Sequence, residues 1–328
     1  MKKVLITGGT GFIGFHLAKY HSEYGDEVYI IDNLSKDKKK MDMDLETLLG
    51  KDNIFFFEYD LTEKISLNQI PKEMDYVYHL AAINGTDLFY KIPYELCRNN
   101  TLLTINFLDF LKGLKVEKLI YASTSEVYAG GEELNLVRIP TAEDVPVVFP
   151  QPTNNRFSYS TSKFLGEFLT LKFGELFSIP TSVIRFHNIY GPRMGYRHVI
   201  PNFIEKATNN SKNFIINGGK NTRSFCFIDD AINALIKVAK SQNTNFEILH
   251  VGNENEEIQM TDLAKQVCKI MGKEFTFSDV GAPNMSANRR CPDISKITKL
   301  TGFKPGTPLA SGLITTIDWY LSDFSRKN

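Results

Sequence analysis

Eight residues near the start of the chain, Thr7-Gly8-Gly9-Thr10-Gly11-Phe12-Ile13-Gly14, restrict its possible folds more than any other stretch. An apolar run, Lys3-Val4-Leu5-Ile6, precedes them, and a helical pattern ending near Tyr24 follows. A second apolar run, Val28-Tyr29-Ile30-Ile31, then stops on Asp32. Strand, glycine turn, helix, strand and acid is the order that seats a dinucleotide. The glycines let the backbone turn tightly and approach a pyrophosphate, whose charge meets the N–H groups at the helix start. Asp32 can accept hydrogen bonds from an adenosine ribose, and its charge repels a 2′-phosphate. That favours NAD over NADP. A tight strand-to-helix turn without a ligand is the plainer alternative, and the flanking strands and the acid weigh against it. The spacing is Gly-x-x-Gly-x-x-Gly at Gly8, Gly11 and Gly14, not the Gly-x-Gly-x-x-Gly of simple dehydrogenases.

Apolar strands and helical patterns alternate through the first half. Strands are expected at Ile54–Phe57, Tyr76–Leu80, Lys118–Tyr121 and Ser182–Phe186, and helices at about Tyr94–Leu111 and Tyr159–Phe177. Near-continuous apolar strands separated by helices imply a doubly wound parallel sheet covered on both faces, an α/β Rossmann architecture. Gly130-Gly131 is expected to open a long irregular stretch reaching Phe157. After Gly191-Pro192 the pattern shifts to short mixed elements, with another glycine turn at Gly218-Gly219. A helix near Asp229–Ala239 and a strand at Phe246–Val251 are expected to return to the large sheet. The division that follows is a dinucleotide-binding domain over 1–187, rejoined by about 225–252. A smaller α/β substrate domain takes 188–224 and 253–328.

The 38 basic and 38 acidic residues cancel, so no overall field recruits nucleic acid or an anionic membrane. The run Lys36-Asp37-Lys38-Lys39-Lys40 is the one local exception and reads as a solvated loop rather than a phosphate or partner site. Cys97, Cys226, Cys268 and Cys291 form no Cys-x-x-Cys pair and have no histidine at ligand spacing, which argues against a disulfide framework or a metal site. No signal-peptide pattern and no apolar stretch of ~18 residues is present. The chain reads as cytoplasmic.

Of fourteen tyrosines, only Tyr159 has a lysine four residues on, Lys163, within a helical pattern. That spacing places both side chains on one face. An ammonium near a phenol stabilises phenolate, so the expectation is a lowered Tyr159 pKa and a base able to take a hydroxyl proton while a nicotinamide takes hydride. A surface helix pair is the alternative. Ala122-Ser123-Thr124-Ser125-Glu126 follows the strand at Lys118–Tyr121, at the sheet's carboxyl edge, where open α/β folds bind ligands. Thr124 offers a hydroxyl that can share the substrate proton with Tyr159.

Together these motifs resemble the extended short-chain dehydrogenase/reductase superfamily, and within it the NAD-dependent enzymes that modify nucleotide sugars. These are epimerases, 4,6-dehydratases and UDP-glucuronate decarboxylases. The matches also include Asp32-Asn33-Leu34, Asp60-Leu61-Thr62, His79-Leu80-Ala81-Ala82, Arg185 to Pro192 and Thr222-Arg223-Ser224-Phe225. The resemblance implies NAD held by Gly8, Gly11, Phe12, Ile13, Gly14, Asp32, Asn33, Asp60, Leu61, Leu80, Ala81, Ala82, Tyr159 and Lys163. It implies catalysis by Thr124, Tyr159, Lys163 and Glu126. It also implies a nucleoside-diphosphate sugar bound by Ser125, Glu126, Asn188, Arg193, Val199, Arg223 and Arg289. Relatives dimerise through the two long helices, where Leu102, Ile105, Leu108, Phe164, Phe168 and Leu171 can serve.

After C4 oxidation the outcome stays open between release of the 4-keto sugar, epimerisation and decarboxylation. Dehydratases resemble Thr-Asp-Glu at this loop, and Ser125 is a poor acid in that place, so dehydration loses weight. Thr124-Ser125-Glu126 matches the decarboxylase pattern best. Asn154–Ser158, Arg193–Arg197 and His187 depart from it. A non-catalytic NAD-binding sensor is the alternative of another class, and an intact Thr124, Tyr159 and Lys163 argue against it.

Overall fold

The computed structural model describes residues 1–35, 42–209, 213–281 and 287–327, so the basic run at Lys36–Lys40 lies outside the described residues. The described chain divides into two compact units. The first comprises Met1–Val127, Val148–Arg185 and Ala234–Leu249, and the second Tyr128–Val147, Phe186–Asn233 and His250–Asn328.

The first unit is built on a seven-stranded sheet. Its strands are β1 (Lys3–Thr7), β2 (Glu27–Asp32), β3 (Ile54–Glu58), β4 (Glu73–His79), β5 (Lys115–Thr124), β6 (Thr181–Phe186) and an edge strand at Glu247–Val251. They lie in the order β3-β2-β1-β4-β5-β6-edge. Neighbours from β3 to β5 run parallel, with Leu5 opposite both Tyr29 and Val77. The helices of this unit are α1 (Phe12–Glu23), α2 (Met43–Leu49), α3 (Leu88–Lys91) and α4 (Pro93–Leu111). Then come α5 (Ala129–Glu133), which falls in the second unit, and α6 (Ser158–Phe177). This is the doubly wound Rossmann arrangement.

Successive strand residues are buried on both sheet faces, Val4 and Leu5 alike, which explains why the strands read as unbroken apolar runs. On one face Leu5, Ile31, Val77 and Leu119 pack with Leu103, Phe107 and Leu111 of α4 and Phe173 of α6. Pro93 starts α4 at a position where a missing N–H costs nothing. Chain order reverses between β1 and β4, so the crevice outside the carboxyl ends there is the expected ligand position. The Thr7–Gly14 turn, Asp32, Leu80–Ala82 and Thr124 all lie at or just beyond the carboxyl ends of strands.

The expected irregular stretch from Gly130-Gly131 begins otherwise. Both glycines are buried within α5, and a Cβ at Gly131 would overlap the Val137 side chain. Close packing, and not a turn, is the reason for a glycine there. Residues 128–147 also sort with the second unit, and the return to the first spans 234–249 rather than 225–252. Of the apolar positions on the long helices, Leu108 is buried in the core, whereas Ile105, Phe164 and Phe168 are exposed.

The second unit carries a three-stranded sheet in the order Glu257–Gln259, Thr222–Ser224, Arg289–Arg290, and a parallel pair formed by Asn213–Ile216 and Thr276–Asp279. Among the described residues, no helix is long and apolar enough to cross a membrane.

Candidate active site

The glycine turn is shaped by backbone contact. Gly8 takes φ +71°, and a Cβ on it would stand 2.8 Å from the Ala81 backbone. A Cβ on Gly14 would overlap the carbonyl oxygen of Gly8. Gly11 is the N-cap of α1 and no side chain caps it, so the first helical N–H groups keep their capacity for an anion. Asp32 accepts from Thr10 N–H at 3.1 Å and Leu34 N–H at 2.9 Å, which fixes its carboxylate beside the turn. Asn33 donates to Asp60 at 3.1 Å, and Asp60 also accepts from the Thr62 N–H and hydroxyl. Thr7 Oγ1 accepts from Ala81 N–H at 3.2 Å, holding the Leu80–Ala82 segment to the end of β1. A turn this closely folded, with an uncapped helix start, fits the pyrophosphate and ribose of a dinucleotide.

Tyr159 and Lys163 lie one turn apart in α6 and are both buried. The Tyr159 ring stacks on Phe89 with centroids 5.2 Å apart and planes 10° from parallel. Lys163 Nζ stands 4.3 Å from the centre of the Tyr121 ring. Burial pulls the Lys163 ammonium down from 10.5 to about 7, against the opposing pull of Glu167. The expectation that Tyr159 is acidified is corrected. Burial, and then the nearby Glu126 carboxylate, push the phenol upward. Desolvation of a charged form outweighs a neighbouring amine that is itself losing its proton.

Thr124 ends β5 half-buried, and its Oγ1 accepts from Glu126 N–H at 3.2 Å, leaving the hydroxyl proton to donate elsewhere. Ser125 is buried. Glu126 receives Arg156 Nη2 at 2.9 Å. The first unit carries Thr124, Ser125 and Glu126 at the end of β5 and in the turn after it, and Tyr159 and Lys163 on α6, which packs against β5.

In the second unit, Asn188 adopts φ +41° and donates from Nδ2 to Ser224 O at 3.0 Å. Arg193 has φ +65°, and Val199 opens the helix Val199–Thr208. Arg223 donates from Nη1 to Thr222 O and from Nη2 to Ala287 O, both at 2.7 Å. Arg289 makes a two-pronged pair with Glu257 at 2.8 and 2.9 Å. Arg223 and Arg289 sit on adjacent strands of one sheet, Arg289 opposite Thr222.

Residues 4–252 match the model of the NAD dependent epimerase/dehydratase family. The chain belongs to that family. It is an extended short-chain dehydrogenase/reductase that uses NAD. The chain is 34% identical to UDP-N-acetyl-alpha-D-glucosaminuronate decarboxylase of Bacillus cytotoxicus, over 97% of its own length and 98% of that protein's. With human dTDP-D-glucose 4,6-dehydratase it shares 30% identity over 98% and 91%. The structure of UDP-glucuronic acid 4-epimerase from Bacillus cereus, in complex with UDP-glucuronic acid and NAD, superimposes with a TM-score of 0.85 at 26% identity, covering 98% and 99%.

Within this epimerase/dehydratase chain several site-building residues carry no motif. Asn100 of α4 is buried. It accepts from Ile83 N–H at 2.7 Å and donates to Ile83 O at 3.0 Å, bracing the segment after Ala82. Arg156 grips Glu126 across thirty residues of sequence. Glu167 continues the four-residue spacing of Tyr159 and Lys163, the one sequence signal that pointed to it.

Lys163 has a measurable consequence for stability. Unfolded, it titrates at 10.5, and folded at about 7. Between those values the unfolded chain binds the extra proton, so this group's contribution to stability rises with pH across the window and is lost as pH falls through about 7. In nucleotide-free protein, Lys163→Met is expected to raise the urea midpoint relative to wild type by more at pH 6.5 than at pH 9. A gap that does not change with pH contradicts this.

Proposed function

We propose that this protein oxidises C4 of a nucleoside-diphosphate hexuronate and that the sugar then loses its carboxyl group as carbon dioxide. The observation that carries this reading is the turn after β5, where a buried serine, Ser125, stands beside a carboxylate, Glu126, held by an arginine. A serine hydroxyl is a poor acid for expelling a C6 hydroxyl, as dehydration requires. Decarboxylation requires no such acid. Once C4 is a ketone, a C6 carboxylate belongs to a β-keto acid. The C5–C6 bond breaks, its electron pair passes into the C4 enolate, and C5 takes up a proton. The 34% identity to a UDP-hexuronate decarboxylase supports the reading.

In this account the phenol of Tyr159, as phenolate, takes the C4 hydroxyl proton, and the Thr124 hydroxyl shares it. NAD supplies the acceptor for the C4 hydride. Gly8, Gly11, Phe12, Ile13 and Gly14 would hold its pyrophosphate, and Asp32 its adenosine ribose, with Asn33, Asp60, Leu61 and Leu80–Ala82 around it. Lys163 would hold the second ribose. Asn188, Arg193, Val199, Arg223 and Arg289 of the second unit would bind the nucleotide, the arginines as cations suited to phosphate. Four free cysteines suit a reducing, cytoplasmic setting. Reduction of the 4-ketone from the other face gives 4-epimerisation, a second reading favoured by the likeness to the UDP-glucuronic acid 4-epimerase.

We also infer a homodimer through α4 and α6, supported by the exposure of Phe168 (58%), Ile105 and Phe164 on these two helices. Phe168→Asp is expected to give a monomer by light scattering where wild type gives a dimer. A wild-type monomer at micromolar concentration ends the idea.

The reading is tested by incubating the NAD-loaded protein with UDP-glucuronate, UDP-N-acetylglucosaminuronate, UDP-glucose and dTDP-glucose, and weighing the products by mass spectrometry. Loss of carbon dioxide from a uronate is the expected result. Tyr159→Phe should lower turnover ~10²–10⁴-fold with substrate binding retained, the worth of a general base. Water loss from dTDP-glucose, or full activity in Tyr159→Phe, contradicts the proposal.

A further inference from the structure

Arg156 belongs to none of the motifs that define the site, yet its environment is specific. It lies three residues before Tyr159, in a 3-10 turn that Asn154 caps by accepting Arg156 N–H at 3.0 Å. Its side chain is 10% exposed, and that of its partner Glu126 is 22% exposed. Two opposite charges are therefore held largely out of water, next to a buried phenol. Glu126 is the carboxylate whose field reaches Tyr159.

The other groups facing Tyr159 leave that carboxylate little rivalry. Lys163 projects from the same helix and lies over Tyr121 of β5. A turn further, Glu167 is neutralised by Arg185 of β6. His79 of β4 is buried, and burial followed by the nearby Lys163 holds it in the neutral form. Phe89 of α3 offers only an apolar ring. An uncompensated carboxylate beside a phenol in such a medium opposes loss of the phenolic proton.

We propose that Arg156 is a positioning residue for the C4 oxidation: it pins Glu126 and offsets part of its charge, so that the carboxylate at the site opposes deprotonation of Tyr159 less than an unpaired one would. This rests on Tyr159 being the base. The charge-assisted bond from Arg156 Nη2 also orients the Glu126 carboxylate.

The test compares four proteins with NAD bound: wild type, Arg156→Gln, Glu126→Gln and the double variant. The pH at which turnover of UDP-glucuronate rises to half its maximum is read in each. Arg156→Gln should move that midpoint up by ~1 pH unit, the effect of one uncompensated neighbouring charge. Glu126→Gln should move it down, and the double variant should return near wild type. Arg156→Lys should keep the midpoint close to wild type, since it keeps the charge. The idea is overturned if Arg156→Gln lowers turnover at every pH with an unmoved midpoint, or if the double variant keeps the midpoint of Arg156→Gln. Should wild type leave UDP-glucuronate untouched, that hexuronate is excluded as the substrate. The same shifts are then read from the Tyr159 phenolate absorbance, taken as a difference against Tyr159→Phe, and decide the role of Arg156 independently.

Discussion

A buried ion pair between Glu167 and Arg185 sets where α6 lies, and the candidate site depends on it. Arg185, in β6, donates to Glu167 of α6 from Nε at 2.8 Å and from Nη2 at 2.6 Å. Ser123 of β5 adds its hydroxyl at 2.5 Å. Both charged side chains are almost fully enclosed. Removing one partner of such a pair strands a charge and costs about 3–5 kcal/mol. Gly166 completes the docking, because a Cβ there would overlap the Tyr121 hydroxyl. The helix can therefore approach the sheet at one height only. That height places Lys163 over Tyr121 and Tyr159 against Phe89.

With position fixed, burial becomes the strongest influence on the chemistry. It drives Tyr159 and Lys163 toward their neutral forms, the phenol upward and the amine downward. Charge inside this pocket of the first unit is therefore costly, and the structure handles its carboxylates by pairing. Glu167 has Arg185 and Glu126 has Arg156. The resulting candidate site has a phenol, Tyr159, that resists ionisation, and carboxylates that are paired with arginines. In the second unit Arg223 and Arg289 are likewise oriented before any ligand contact, by two carbonyls and by Glu257.

Much of this was legible in the sequence because it is local. The glycine turn, the strand ending on Asp32 and the four-residue step from Tyr159 to Lys163 each declare themselves within a dozen residues. The parallel sheet followed from apolar runs whose two faces are both buried. The rest depends on contacts between distant residues. Arg156 and Glu126 are thirty residues apart, and Arg185 and Glu167 eighteen. Gly130-Gly131 looked like the start of an irregular stretch because the packing of Gly131 against Val137 leaves no local sequence signal. Residues 128–147 fall on the other side of the expected boundary for a similar reason. The Arg290–Glu132 pair that ties α5 to the strand Arg289–Arg290 spans more than 150 residues and leaves no periodic trace. The sign of the Tyr159 shift was missed because spacing reports neighbours and says nothing of desolvation.

The central claim is that turnover begins with removal of hydride from C4. The most direct measurement uses a nucleoside-diphosphate uronate carrying deuterium at C4, with the reaction quenched during a single turnover and the enzyme's nicotinamide weighed by mass spectrometry. The account predicts that deuterium appears on the reduced nicotinamide before or as carbon dioxide is released. Product formed while the label stays at C4 and never reaches the nicotinamide would contradict it.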